Sequence, residues 1–293
     1  ISESAGVSAA ETWNNGATMA DLNGDGLLDI YVCSSTDGPP QIRKNLLYIN
    51  TGDLTFSNKP EAFGVEDPAY STHSSFLDYD KDGDLDLFVI NHSLDRFAMF
   101  NERSPGFRKE HNPKFGHKLF RNDGDVFTEV TKNAGILSNS INFGLGIAVS
   151  DFNNDNWPDI YVCNDYFERD YFYINQQDGT FSEQLEQYFS HISFSSMGND
   201  AADVNNDGFI DLMVSGDNHY IFYNNGDGTF QNAPNPFNSN QIQSFSVVDI
   251  NHDGFLDIYA GYATGLNSPS STKDRIWLNN GNSNNFLNIQ LTG

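Results

Sequence analysis

Asp21, Asn23 and Asp25 set short oxygen-bearing side chains on alternate residues, Gly26 follows where the chain must turn, and Asp29 closes the group. Oxygens at this spacing open a loop for a hard divalent cation. Side chains at positions one, three, five and nine, with the carbonyl of position seven (Leu27), would wrap Ca²⁺, which takes roughly six to eight oxygen ligands. The same grammar recurs as Asp78, Asp80, Asp82 and Asp86 with the Asp84 carbonyl, and as Asp151, Asn153, Asp155 and Asp159 with the Trp157 carbonyl. It returns as Asp203, Asn205, Asp207 and Asp211 with Phe209, and as Asp249, Asn251, Asp253 and Asp257 with Phe255. Up to five Ca²⁺ are therefore expected. No Cys or His stands at a ligand position, which disfavours zinc and copper. The competing reading is a metal-free turn, because Asp, Asn and Gly favour turns on their own. Against it stands repulsion among the clustered carboxylates, repeated in every copy, unless a cation holds them. The third loop departs from the pattern: Asn156 replaces the glycine, and asparagine tolerates the left-handed backbone needed there.

In an EF-hand the twelfth position is a bidentate Glu on a helix. Here it is Val32, Val89, Val162, Val214 and Ala260, and the preceding residues, as in "DIYV", read as a strand. Each loop therefore joins two strands. The loops begin at residues 21, 78, 151, 203 and 249, a repeat on the order of 50 residues that signals a solenoid or propeller. A second marker follows each loop, among them "LLYINTGDLTF", "YFYINQQDGTF" and "YIFYNNGDGTF", an aromatic strand, an Asn/Asp/Gly turn and a restart that spell a β-hairpin. Strand A, cation loop, strand B, variable connection, strand C, tight turn and strand D make a propeller blade. The expectation is an all-β chain, a single β-propeller domain over residues 1–293 with five four-stranded antiparallel blades.

In such a meander the A–B and C–D turns share one end of the sheet, and the B–C and D–A connections share the other. The first end is uniform. The second carries the variation, with the B–C connection of the second unit swelling to roughly residues 91–117 and shorter insertions at 34–44 and 261–274. Long connections in a compact domain are usually functional, so a protein or glycan ligand is expected on the B–C/D–A face. Arg96, Arg103, Arg108, Lys109, Lys114, Lys118 and Arg121 are gathered at the large insertion of a chain with only 15 Lys and Arg. They either hold an acidic partner or pair with the protein's own carboxylates. Phe97, Phe100, Phe107 and Phe115 in the insertion are candidate sugar-stacking rings, whereas most of the 24 Phe, 13 Tyr and 3 Trp read as blade packing.

A net charge of −25 argues against nucleic acid and anionic membrane surfaces as partners. Cys33 and Cys163 occupy equivalent places in non-adjacent copies and read as small buried hydrophobes without a disulfide. There is no apolar run of the ~18 residues a membrane span needs, so no direct membrane insertion is expected. The first residue is Ile1 and no leader precedes it, so the chain reads as a fragment of a longer one. Catalytic grammar is absent: no H-E-x-x-H, no G-x-S-x-G and no Walker loop occurs. The histidines are scattered. His73, His92, His111 and His117 fall near the second unit, which leaves a transition-metal or acid/base site there open, and His252 in the fifth loop reads as solvated.

The D-x-[DN]-x-[DN]-G-x-x-D loop followed by "IYV", repeated with "NNGDGTF" hairpins, resembles the FG-GAP or VCBS repeat of integrin α-subunit propellers. The resemblance covers essentially the whole chain. More narrowly, "ISESAGVSAAETWNNGATMADLNGDGLLDIYV" and "NAGILSNSINFGLGIAVSDFNNDNWPDIYVCND" resemble the cartilage-acidic-protein and ASPIC/UnbV group of secreted or surface proteins, and residues 285–293 resemble the start of an ASPIC/UnbV segment. The resemblance implies a calcium-stabilised propeller, secreted or on the cell surface, used for adhesion or as a binding platform. Integrin propellers bind ligands opposite their cation loops, the same face as the variable connections here. They have seven blades where five are counted here. The expected function is thus a non-enzymatic extracellular binding module, with membership of a larger surface assembly left open. A lyase or hydrolase acting on carbohydrate through the same face is the alternative.

Overall fold

The computed structural model describes residues 2–8, 12–36, 38–95, 106–124, 126–166, 168–190, 192–234, 237, 242–263, 272–279 and 281, with backbone alone for 286–290. Twenty strands form five four-stranded antiparallel sheets, each in chain order. The first sheet is β1 (Asn14–Ala20), β2 (Asp29–Ser34), β3 (Leu46–Gly52) and β4 (Thr55–Asn58). The second is β5 (Ser71–Leu77), β6 (Asp86–Asn91), β7 (Lys118–Asn122) and β8 (Phe127–Glu129). The third is β9 (Gly144–Ser150), β10 (Asp159–Asn164), β11 (Tyr171–Asn175) and β12 (Phe181–Glu183). The fourth is β13 (Gly198–Ala202), β14 (Asp211–Ser215), β15 (Tyr220–Asn224) and β16 (Phe230–Asn232). The fifth is β17 (Ile242–Val248), β18 (Asp257–Tyr262), β19 (Arg275–Asn279) and β20 (Phe286–Gln290). These are the five blades of an all-β propeller, as the repeat expectation required.

The acidic loops hand over to strand B at an aspartate, and strand B is the most deeply buried of the four. Every residue of β6, β10 and β14 is buried. A strand covered on both faces reads as a continuous apolar run instead of an alternating one, which is what "DLFVI" and "DIYVC" do. Strand A is more polar and more exposed, as in β1, and it approaches the next blade closely. Thr18 Oγ1 donates to the Ser74 carbonyl at 2.7 Å, and a Cβ on Gly16 would collide with the Thr72 carbonyl. Glycine is there because another backbone is.

The chain divides into two compact units, Ile1–Leu145 with Asn175–Glu183 and Gly146–Ile174 with Gln184–Gly293. In the first, Tyr31, Leu47, Leu87, Val89, Phe120 and Phe127 form a core between sheets. In the second, Phe152, Tyr161, Phe172, Phe189, Phe222 and Phe230 pack edge to face or stacked, with Phe189 and Phe230 at 4.6 Å. These rings are the blade packing expected of the aromatic content. Cys33 and Cys163 are both buried free thiols. No helix is long and apolar enough to cross a membrane among the described residues.

The end of strand B needs a partner for a backbone N–H, and the residue just before strand C supplies it in all five blades. Asn45, His117, Asp170, His219 and Asp274 accept from the amides of Ser34, Asn91, Asn164, Gly216 and Tyr262. Where the third residue of strand B is a tyrosine, the acceptor is Asn or Asp and also bonds the phenol: Tyr31 with Asn45, Tyr161 with Asp170, Tyr259 with Asp274. Where that residue is Phe88 or Met213, the acceptor is a histidine. An imidazole suffices when no hydroxyl has to be matched.

Candidate metal centre and ligand-facing cavities

The five acidic loops share one backbone. Position four is left-handed in every copy, with φ from 58° to 71° at Gly24, Lys81, Asn154, Asn206 and His252. Position six is left-handed too, including Asn156 at 69°, so asparagine does adopt the conformation the missing glycine would have taken. These kinks turn successive amides inward. In loops one, three, four and five the first aspartate (Asp21, Asp151, Asp203, Asp249) accepts from the amides of positions five and six. In all five loops the amide of position seven (Leu27, Asp84, Trp157, Phe209, Phe255) donates to the carboxylate of position five (Asp25, Asp82, Asp155, Asp207, Asp253).

Position three separates one loop from the rest. Asn23, Asn153, Asn205 and Asn251 donate their amides to the position-five carboxylate, so these four loops close on themselves. The second loop carries Asp80 instead, which has no N–H to give. There Asp78, Asp80 and Asp86 bring carboxylate oxygens within 4.8 Å of one another, the one such cluster among the described residues. Asp78 Oδ1 and Asp80 Oδ1 are buried without a hydrogen-bond partner. Buried carboxylate oxygens facing each other without donors are what a hard cation satisfies. Burial, and then the charge of Asp82, push the Asp80 carboxyl up; burial above all, with Asp80 and Asp82 adding to it, pushes Asp86 up to about 7. A divalent ion between them would reverse that shift by favouring the charged forms. The residues of the second loop fit Ca²⁺, with Asp82 and the Asp84 carbonyl at the remaining positions of the pattern.

Position nine has a structural role that spacing alone did not disclose. In every loop one carboxylate oxygen of Asp29, Asp86, Asp159, Asp211 or Asp257 accepts the amide of position two. The other oxygen of Asp29, Asp86, Asp211 and Asp257 accepts the backbone amide of an asparagine at or near the end of strand C, namely Asn50, Asn122, Asn224 and Asn279. Asn50 and Asn122 reach back to the carbonyls of Leu28 and Leu85 in their own loops, while in the last three blades the equivalent asparagine reaches the preceding blade. Asn175 Nδ2 donates to the Tyr79 carbonyl at 2.8 Å, Asn224 to Phe152 at 2.7 Å and Asn279 to Val204 at 3.1 Å. In the fourth and fifth blades one Asp–Asn pair thus latches loop, hairpin and preceding blade. The signal was present in the sequence as the recurrent Asn of "YIN", "FRN" and "FYN", which strand grammar read only as a turn residue.

At the B–C/D–A end of the first unit lie two cavities. One, of about 280 Å³, is lined by Lys109 and His111 of the long insertion and by Lys132, Ile136 and Ser138 of the connection from β8 to β9. Its walls are tied together, Asn112 N–H to the Ser138 carbonyl at 2.7 Å and Asn139 Nδ2 to the Arg108 carbonyl at 3.1 Å. The other, of about 400 Å³, is lined by Arg43, Pro40, Pro68, Tyr70, Pro113 and Lys114. Of the clustered bases, Lys118 pairs with buried Asp67 at 2.7 Å and Arg121 with Asp123 at 2.8 Å, so those two serve the protein's own acids. Lys109 and Lys114 face cavities instead, while Arg96 and Arg103 lie outside the described residues, as do Phe97 and Phe100. Phe107 and Phe115 are half-buried, with Arg108 and Lys114 over their rings at 4.9 and 4.8 Å. The histidines form no ligand cluster among the described residues. His117 is a core residue, its pKa pushed down to about 3 by burial and by His92.

Five four-stranded blades, each with an acidic hairpin loop between its first two strands, define a repeat-bearing all-β propeller. Residues 21–89, 151–214 and 203–260, more than half of the chain, match the FG-GAP-like repeat, and the chain belongs to that family. No curated protein matches it. Among solved structures it is similar to an Agrocybe aegerita lectin described as recognising non-reducing terminal N-acetylglucosamine, at TM-score 0.54 and 20% identity over 97% of this chain. It is also similar to the V. cholerae biofilm matrix protein Bap1, at TM-score 0.52 and 16% identity over 96% of this chain. The chain spans 66% of the lectin and 40% of the biofilm protein. At these identities the likeness is one of fold.

Proposed function

We propose that this chain is an extracellular, calcium-stabilised propeller module of the cartilage-acidic-protein and ASPIC/UnbV kind. It binds a protein or glycan ligand at the B–C/D–A end and serves in adhesion without catalysing a reaction. The observation that carries this reading is the contrast between the two ends of the blades. Carboxylates crowd the cation loops at one end, while the longest connections at the other wall two cavities with basic side chains. The three converging carboxylates of the second loop support calcium as its stabiliser, and millimolar Ca²⁺ outside the cell supports an extracellular setting. A lectin and a biofilm matrix protein among the similar folds support a binding role. The net charge of −25 keeps nucleic acid out of the reading.

The purified chain, in millimolar Ca²⁺, goes onto a glycan array and into a pull-down from matrix and cell-surface extracts. Capture that Lys109→Glu with Lys132→Glu weakens, and that Asp227→Asn in a C–D turn leaves alone, is the expected result. Two blank assays, or capture lost only through the C–D turn, would overturn the reading.

A further inference from the structure

The cavity around Arg43 is built differently from an ordinary surface hollow. Arg43 is 4% exposed. Its Nε donates to the Pro68 carbonyl at 2.7 Å, and its Nη1 donates to the Gly38 carbonyl at 2.7 Å and the Tyr70 hydroxyl at 3.1 Å. Its guanidinium lies 4.0 Å from the centroid of the Tyr70 ring. All these partners are neutral. A buried cation is normally retained beside an anion, yet no carboxylate pairs with Arg43 among the described residues. The two acids just before Pro68 are already taken, Glu66 by Lys44 and Asp67 by Lys118. Nη2 takes no part in these three bonds, and Lys114 adds a second positive charge 5.4 Å from the same Tyr70 ring.

Three separate segments enclose this charge. Pro40, Pro68 and Pro113 each contribute a rigid ring to the lining, so little conformational freedom is lost when a ligand enters. The cavity of about 400 Å³ falls in the range of small-ligand sites, roughly 300–1,000 Å³. It is too compact for an extended peptide and of a size for a sugar ring. Pyrrolidine rings offer apolar C–H surface to the C–H face of a pyranose, and one guanidinium edge with one ammonium suits a single negative charge.

We propose that this cavity binds a uronate residue of an acidic glycan, its carboxylate received by Arg43 Nη2 and Lys114 and its ring lodged among the prolines. The proposal rests on the binding-module reading and names the ligand class of one of its cavities. It requires no contribution from the acidic loops.

Titration calorimetry on the intact chain in Ca²⁺ tests it with tetrasaccharides containing glucuronate, galacturonate or mannuronate, each beside its methyl ester, which keeps the ring and removes the charge. At least one acid is expected to bind, its ester to bind ten-fold or more weakly, and Lys114→Ala and Arg43→Met each to weaken the acid by a similar factor. Lys114 is exposed, so its variant folds even if the Arg43 variant does not, and circular dichroism checks both. No binding of any uronate, equal binding of acid and ester, indifference to Lys114→Ala, or tighter binding of a tri-glutamate peptide would each overturn the assignment. If neutral glycans are captured on the array while all uronates fail here, this inference falls and the binding-module reading stands.

Discussion

Asp170 lies fully buried between strands, its Oδ1 accepting the Asn164 amide at 2.8 Å and its Oδ2 accepting the Tyr161 and Ser196 hydroxyls, each at 2.7 Å. Burial outweighs these donors and raises its pKa from 3.8 to about 7. The folded protein therefore keeps a proton on Asp170 that the unfolded chain has lost between these two values. Its contribution is fully present below pH 3.8, falls by about 1.4 kcal/mol for each pH unit above it, and is gone above about pH 7. The ceiling over that window is about 4 kcal/mol. The first blade shows what replaces it: Asn45 makes the same amide contact through Oδ1 and donates from Nδ2 to Tyr31 and Ser71 at 2.9 Å. Asp170→Asn should keep the fold and abolish this slope. Urea unfolding of both proteins at pH 4, 5, 6, 7 and 8, at one fixed Ca²⁺ concentration, measures it. The variant should match or fall slightly below the parent at pH 4 and gain on it steadily up to pH 7, then hold a constant lead. Parallel pH profiles, or a lead that shrinks as pH rises, would refute the assignment of a neutral buried carboxyl.

Chelation by EDTA should lower the melting temperature, since a site held at a hundred times its Kd contributes about 2.7 kcal/mol; Asp25→Ala or Asp207→Ala should reproduce part of the loss, and an unchanged melting curve would show that the loops need no metal. Asp80→Asn takes one carboxylate from the cluster of the second loop and should weaken that loop's calcium affinity in calorimetry; an unchanged isotherm would show that the cluster is not what holds the ion. Asn224→Ala keeps the backbone N–H that Asp211 accepts but strands the Phe152 and Ile210 carbonyls and the Gly226 amide, and should cost about 1–3 kcal/mol in urea unfolding; a midpoint equal to the parent's would deny the latch. Cys33, whose thiol burial pushes up to about 12, and Cys163 should be silent to a thiol reagent in the native protein and give two equivalents in denaturant; rapid native labelling would contradict their burial.

The blades were legible because their signals are local. A strand covered on both faces must be apolar throughout, so "DLFVI" and "DIYVC" announce strand B, and an Asx-rich loop before each one sets the repeat. Strand A, polar as in "GNDAA", was legible only from its place before the loop. Of the candidate site, the ligand spacing is visible in the sequence but the difference between loops is not. The ligand pattern accepts Asn or Asp at position three alike, although only Asn can donate to position five. The position-nine aspartates looked like cation ligands alone, and their bonds to the strand-C asparagines emerged with the hairpin in place. Tyr70 carried no signal of its own, and Arg43 was one base in an insertion.

The amino-acid order by itself determined the blade: which segments are strands, where each acidic loop must turn and which end of the meander varies, because those properties depend on neighbours within a dozen residues. Tertiary structure alone decided that three carboxylates meet in the second loop with two oxygens lacking donors. It alone placed Arg43, Tyr70 and Lys114 around one hollow. Arg43, Tyr70 and Lys114 come from three connections whose separation along the chain says nothing of their distance in space, and charge acts through distance in space.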